Sequence, residues 1–248
     1  MKKNKFTLSV ERNLKKLAPR QPKDGFGIDY MLGGDKNDTK CELKFLNLSM
    51  PQVRGFLKEL PDDVNFDDVE NLFFTTSYFE ARTLALCWLD DQDDVFLIAH
   101  TEPILSWADA VDNWAHADGL CSVLARLFEK NFSAVLPTYK KWNKHPRSWN
   151  RRCSLVGTFY YSRSRKKQPD FALIRGFVAP HFSAPEYYVQ KAVGWTIREM
   201  YNAYPDETIK FIENNLGVLS AVAWVAASEK LPARLKSSLL KKRKTLRR

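Results

Sequence analysis

The sequence predicts an all-α protein, an α-solenoid of stacked antiparallel helix pairs. Apolar residues recur at helical spacing almost throughout the 248 residues, and convincing period-two alternation is rare. Helix start and stop signals punctuate the chain at short intervals. The turns they leave are short enough to make successive helices antiparallel neighbours, each unit covering the apolar face of the next. No clean repeat in the sequence accompanies this architecture.

Residues 1–40 are expected to hold an N-terminal helix and a glycine-rich loop. The start, MKKNKFTLSVERNLKK, is basic and lacks the apolar core of a secretory signal. The stretch 24–34, DGFGIDYMLGG, contains four of the ten glycines and reads as a connector or lid. It is no phosphate-binding fingerprint, because no strand precedes it and no GK[ST] follows. Residues 41–235 form the expected repeat domain. Within it, Ser77 and Glu80 make a capping box before ARTLALCWL, Ser148 opens WNRRCSLVGTFYY, and Ser220 opens AVAWVAASEKL. Pro205, Gly217 and Pro232 mark helix ends. FALIRGFV at 171–178 is ambiguous between helix and strand. Residues 236–248 read as a basic tail that frays, either simply solvated, adding phosphate contacts, or serving as a localisation signal.

Composition is that of an ordinary globular chain, 44% apolar and 27% charged, apart from a formal net charge of +10 and a pI near 9.4. That charge favours a polyanionic partner. Cys41, Cys87, Cys121 and Cys153 are widely separated and read as reduced thiols. His100, His116, His145 and His181 are scattered without zinc spacing, so no metal and no cofactor are expected. The longest apolar stretch, LSAVAWVAAS, is too short to cross a bilayer. A monomeric, intracellular, cytoplasmic protein is expected, with no membrane partner.

Charge is unevenly placed. From Glu59 to Asp94 there are eleven acidic residues against Arg82 alone, whereas Tyr139 to Lys167 holds ten basic residues and no acidic one. The second stretch interleaves Lys140, Lys141, Lys144, Arg147, Arg151, Arg152, Arg163, Arg165, Lys166 and Lys167 with Trp142, Trp149, Tyr160 and Tyr161. This is the pattern phosphate binding with base or sugar stacking requires, although a charge run alone is more often a solvated face.

Two helices carry candidate functional residues. In the helix from about Pro185 to Tyr204, Val189, Val193, Ile197 and Met200 define the core stripe. Trp195 lies about 200° from Val193 and therefore lines up with Lys191 and Arg198, either facing a ligand or packing on a second helix. Trp114 and Asp118 share a face if the helix from about Leu105 continues that far. The competing reading puts Trp114 on a core stripe with Trp107 and Val111, and makes Asp118 an N-cap. Asp109 and Asp112 read as surface carboxylates.

DNWAHADGL (112–120), SWNRRCSL (148–155) and YYVQKAVGWTIREMY (187–201) resemble the three active-site segments of the HEAT-like-repeat DNA alkylation repair glycosylases, the AlkD-like family. KFLNLSMPQVRGFLKEL and SYFEARTLALCWLDD are similar to its N-terminal repeats, so the resemblance spans roughly residues 40–230. It implies stacked HEAT-like repeats around a concave basic groove that binds duplex DNA containing alkylated bases. It also implies Trp114 and Trp195 as aromatic walls of the lesion site, Asp118 as the catalytic carboxylate and Arg152 as a DNA-backbone contact. Arg151, Lys191, Arg198, Trp149, Lys140, Lys141 and Lys144 complete the expected DNA-binding set. Asn113, His116 and Ala117 depart from the family type, pointing to a distinct subgroup.

The implied activity is hydrolysis of the N-glycosidic bond of cationic N3- or N7-alkylpurines. The alternative is a non-catalytic DNA-structure binder on the same scaffold. A third class, a protein-interaction scaffold using the acidic 59–94 region, is opposed by the basic 139–167 stretch.

Overall fold

A computed structural model describes residues 1–19, 41–160 and 162–247, and these divide into two compact units, 1–123 and 124–247. Among the described residues every named element is a helix and no strand is named, only an isolated bridge between Lys44 and Tyr78. The glycine-rich stretch 24–34 and Tyr161 lie outside the described residues.

The first unit opens with α1, Lys5–Leu17, capped by the Asn4 side chain, which accepts from the Thr7 N–H at 2.8 Å. There follow α2 (Met50–Leu57), α3 (Phe66–Thr75), α4 (Phe79–Asp90), α5 (Asp94–Ala99) and α6 (Thr101–Ser106). α3 packs on both α1 and α4, and α2 packs on α4. Their shared core includes Val69, Leu72, Leu84 and Leu89, with the Phe73 ring stacked 4.2 Å from Trp107. The expected capping box at Ser77 and Glu80 does not form. α4 begins at Phe79 without a side-chain cap, and the Glu80 carboxylate instead accepts from the Leu46 and Leu48 N–H groups at 2.9 and 3.3 Å. Two otherwise unsatisfied loop donors outbid the helix end for that carboxylate.

After α6 the chain does not continue as one helix. A 3₁₀ turn at Trp107–Ala110 and an extended break separate α6 from α7, Trp114–Lys130. α7 carries the boundary between the units at residue 123.

The second unit continues with α8 (Phe132–Asn143), α9 (Ser148–Phe159), α10 (Phe171–Val178), α11 (Tyr187–Ala203), α12 (Pro205–Asn215), α13 (Ala221–Ala227) and α14 (Ala233–Leu246). α9 packs on α8 and α11, and α11 on α13. The ambiguous 171–178 run is therefore a helix, capped by Asp170 accepting from Leu173 N–H at 3.0 Å. Ser220 caps α13 through Ala223 N–H at 3.0 Å, as its position suggests. Asn143 donates to Ser154 Oγ and to the Phe177 carbonyl, both at 3.1 Å, tying α8, α9 and α10 together.

The crossing of α11 and α13 is unusually close. A Cβ added at Gly194 would lie 2.3 Å from the Ala223 carbonyl oxygen and 2.8 Å from Ala226 Cβ, so the residue preceding Trp195 has no room for a side chain. Residues expected to fray at the C-terminus instead form most of α14. It is held by Leu239, 2% exposed, and by Arg243, whose guanidinium donates to the Leu219 carbonyl and lies 5.9 Å from the Trp224 ring centre.

Candidate functional site

In the first unit, the site begins with how α7 starts. Asn113 Oδ1 accepts from His116 N–H at 2.9 Å, which is the N-cap hydrogen bond, so Asn113 and not Asp118 caps the helix. The Asn113 amide nitrogen lies 2.7 Å from His116 Nδ1 and 2.9 Å from Asp112 Oδ1. With Nδ1 accepting from that amide, His116 Nε2 carries the proton and faces the Phe79 carbonyl and Thr83 Oγ1, both at 3.2 Å. The imidazole stacks 4.2 Å from the Phe79 ring. Burial, assisted by the charge of Arg82, pushes His116 down to about 3, so it stays neutral. Arg82 itself donates to the Phe73 and Ala110 carbonyls at 3.1 and 3.0 Å and lies 3.6 Å from Asp112. That buried guanidinium holds the turn before α7 in place, and pairs with a carboxylate expected only at the surface.

The consequence is a fixed first stretch of α7. His116, Ala117 and Leu120 are buried, while Trp114 and Asp118, one turn apart, are half-buried on another face. Trp107 and Val111 lie in the core, but the chain breaks before Trp114, so Trp114 does not extend their stripe as a continuous helix would.

In the second unit, α11 splits as its periodicity predicts. Val189, Val193, Ile197 and Met200 are fully buried, whereas Lys191, Trp195 and Arg198 are half-buried on the opposite side. Each such buried aliphatic side chain contributes about 1.5–3 kcal/mol relative to exposure, enough to fix the helix rotation. The Trp195 ring stacks with Tyr160 at 5.4 Å, and the Arg198 guanidinium lies 5.2 Å from its centre. Arg198 bridges two carboxylates, Glu199 at 3.1 Å and Glu229 at 2.9 Å. Its hydrogen bond holds Glu229 below the usual carboxylate range. Glu199, 6% exposed, also accepts from Ser162 Oγ at 2.7 Å and Asn202 at 3.1 Å, anchoring the turn after Tyr160 to α11.

The basic 139–167 stretch resolves into two kinds of residue. Lys140, Lys141 and Lys144 are exposed at the end of α8. Trp142 and Trp149 are 6% and 3% exposed, so they face inward between the cations of the sequence. Trp149 packs 5.2 Å from the Tyr188 ring, and Arg152, also 6% exposed, donates to the Tyr188 carbonyl at 2.9 Å. Arg151 donates to the His145 carbonyl at 3.1 Å and pairs with Glu186 at the start of α11. Trp149, Arg151 and Arg152 thus brace α9 against α11. Tyr160 is the described aromatic of this stretch that is half-open.

Sequence reasoning names Trp114, Asp118, Trp195, Lys191 and Arg198, and all five are at least partly accessible. It does not name Asn113, His116 or Arg82 as supports, nor Glu199 and Glu229 as partners of Arg198. The sequence signal for the first pair is the very departure from the family type at 113 and 116. Among the described residues, no group of three His, Cys, Asp or Glu side chains gathers as a metal site, and no helix is long and apolar enough to cross a membrane.

A family model described as DNA alkylation repair enzyme matches residues 36–231. No curated protein matches the sequence. Among solved structures, the chain is similar to a predicted DNA alkylation repair enzyme from Enterococcus faecalis at 15% identity and a TM-score of 0.61, over 94% of this chain and 98% of that one. It is also similar to AlkD2 from Streptococcus mutans, at 15% identity and a TM-score of 0.57, over 92% and 100% of the two chains. At such identities these structures establish a common fold.

Proposed function

Because the chain belongs to the DNA alkylation repair enzyme family, we propose that it is a monofunctional glycosylase that hydrolyses the N-glycosidic bond of cationic N3- or N7-alkylpurines in duplex DNA. The observation that carries this reading is the pairing of Trp114 with Asp118 on an accessible face of α7, held by a buried, uncharged cap.

An N3- or N7-alkylpurine is positively charged, and breaking its bond to C1′ leaves the electron pair on the base and positive charge on the sugar. Asp118 stabilises that oxocarbenium-like charge and positions the attacking water or takes its proton. Trp114 and Trp195 contact the cationic nucleotide. A carboxylate about 4 Å from the developing charge is worth about 4 kcal/mol at an effective dielectric of 20, close to a thousandfold in rate. Each cation–π contact adds about 0.5–2 kcal/mol. Lys140, Lys141, Lys144 and Lys191 supply phosphate contacts, and about four neutralised phosphates give a salt slope of about −3.6.

Purified protein should release 3-methyladenine or 7-methylguanine from methylated duplex. A folded sample that binds duplex and releases neither base would select a second reading, a non-catalytic DNA-structure binder. One observation favours that alternative: the Trp195 ring already carries Tyr160 and Arg198 as partners. Preference for bent or branched DNA without excision would establish it.

A further inference from the structure

We propose that the outward face of α14 is a second, sequence-independent binding surface for the DNA backbone, formed by Arg234, Lys241, Lys242 and Lys244. The proposal rests on the DNA-binding part of the function above and is independent of base excision.

The helix geometry sorts its residues sharply. Leu239 and Arg243, one turn apart, point inward and are 2% and 8% exposed. At about 100° per residue, Arg234, Lys241, Lys242 and Lys244 fall within about 80° of one direction on the other side, and all four are exposed. They extend over about 15 Å of helix axis, or several phosphates of one strand at about 3.4 Å of rise each.

This face is costly for the isolated protein. α14 contains no acidic residue, and among the described residues no ion pair involves any of the four cations. Arg234 sits in the first turn, against the helix dipole, and Lys241 and Lys244 are like charges three apart. A polyanion relieves both penalties at once. Two further arginines serve a different purpose: Arg243 donates to the Leu219 carbonyl, and Arg247 Nε donates to the Gly217 carbonyl at 3.2 Å. The helix is therefore anchored, and its outward cations are presented without the ordering cost a frayed tail would bear.

The test is the full-length triple variant Lys241→Gln, Lys242→Gln, Lys244→Gln on an unmodified duplex, with affinity measured against salt concentration. Three lost phosphate contacts should flatten the log–log slope by about 2–3 and weaken binding tenfold or more at 0.1 M salt. The corresponding triple Lys→Arg variant should retain the parental slope, and thermal unfolding of both variants checks the fold. An unchanged slope in the folded glutamine variant overturns the proposal. So does an unchanged slope combined with lost retention on anionic-lipid vesicles, which would assign the face to a membrane. Because undamaged DNA is the probe, failure of excision leaves the result readable.

Discussion

The starting turns of α7 and the open face of α11 each hold a half-buried tryptophan, and they hold it by opposite means. Around Trp114 the support is a buried hydrogen-bond network of Asn113, His116 and the Phe79 carbonyl, with the imidazole kept neutral by burial. Around Trp195 the support is ionic and partly solvated, with Arg198 shared between Glu199 and Glu229, the latter side chain 50% exposed. Low-dielectric networks of the first kind are rigid and indifferent to salt, whereas solvated pairs of the second kind are weak and screened. The carboxylate for which placement matters most, Asp118, sits on the rigid element.

The largest effect should come from breaking the first network. His116→Ala leaves a cavity and removes the imidazole's hydrogen bonds with the Asn113 amide and the Phe79 carbonyl, and should cost about 2–4 kcal/mol in denaturant unfolding. The same residue sets a pH dependence. Its folded-state pKa, about 3, lies below the ordinary 6.5, so below pH 6.5 the unfolded chain takes up a proton that the folded chain refuses. Stability should fall as pH drops from 6.5 toward 3, by about 1.4 kcal/mol per unit for this group. His181, lowered to about 4 by burial and by the charge of Arg151, adds to the same slope until pH 4. His116→Ala should flatten the profile without abolishing it, and an unchanged profile would refute the buried neutral imidazole.

Next in size is Gly194→Ala. The new Cβ meets the Ala223 carbonyl oxygen, so α11 must move from α13, at about 1–3 kcal/mol of stability. Tryptophan emission should change with it, since the adjacent Trp195 moves with the helix. The smallest effect belongs to Glu229→Gln, below about 1 kcal/mol in 0.1 M salt and absent in 1 M salt. A Glu229 effect that persists at high salt would erase the contrast between the two regions.

Much of this was legible in the residues wherever one helix face decides the matter. The buried quartet on α11 and the turn of Trp195 away from it follow from period, which leaves open what Trp195 faces, and Ser220 caps α13 through its own local backbone. What failed depended on distant partners. Glu80 looks like a capping residue until the Leu46 and Leu48 N–H groups reach it. The helix from Leu105 looks continuous because Trp107, Val111 and Trp114 keep the spacing. The break there is held by Arg82, which binds the Ala110 carbonyl from α4. The aromatics interleaved with cations at 139–167 could not be assigned a face from adjacency, and Trp142 and Trp149 turn inward. The fraying tail is a helix because Arg243, apparently one more cation, is buried against Trp224.

The most direct measurement is single-turnover base release from methylated duplex by the wild-type chain and by Asp118→Asn, alongside duplex affinity. Asp118 as the catalytic carboxylate predicts release of alkylpurine by the wild type. It also predicts a loss of about a hundredfold to a thousandfold in the variant with affinity retained. Equal release by the two proteins would contradict it.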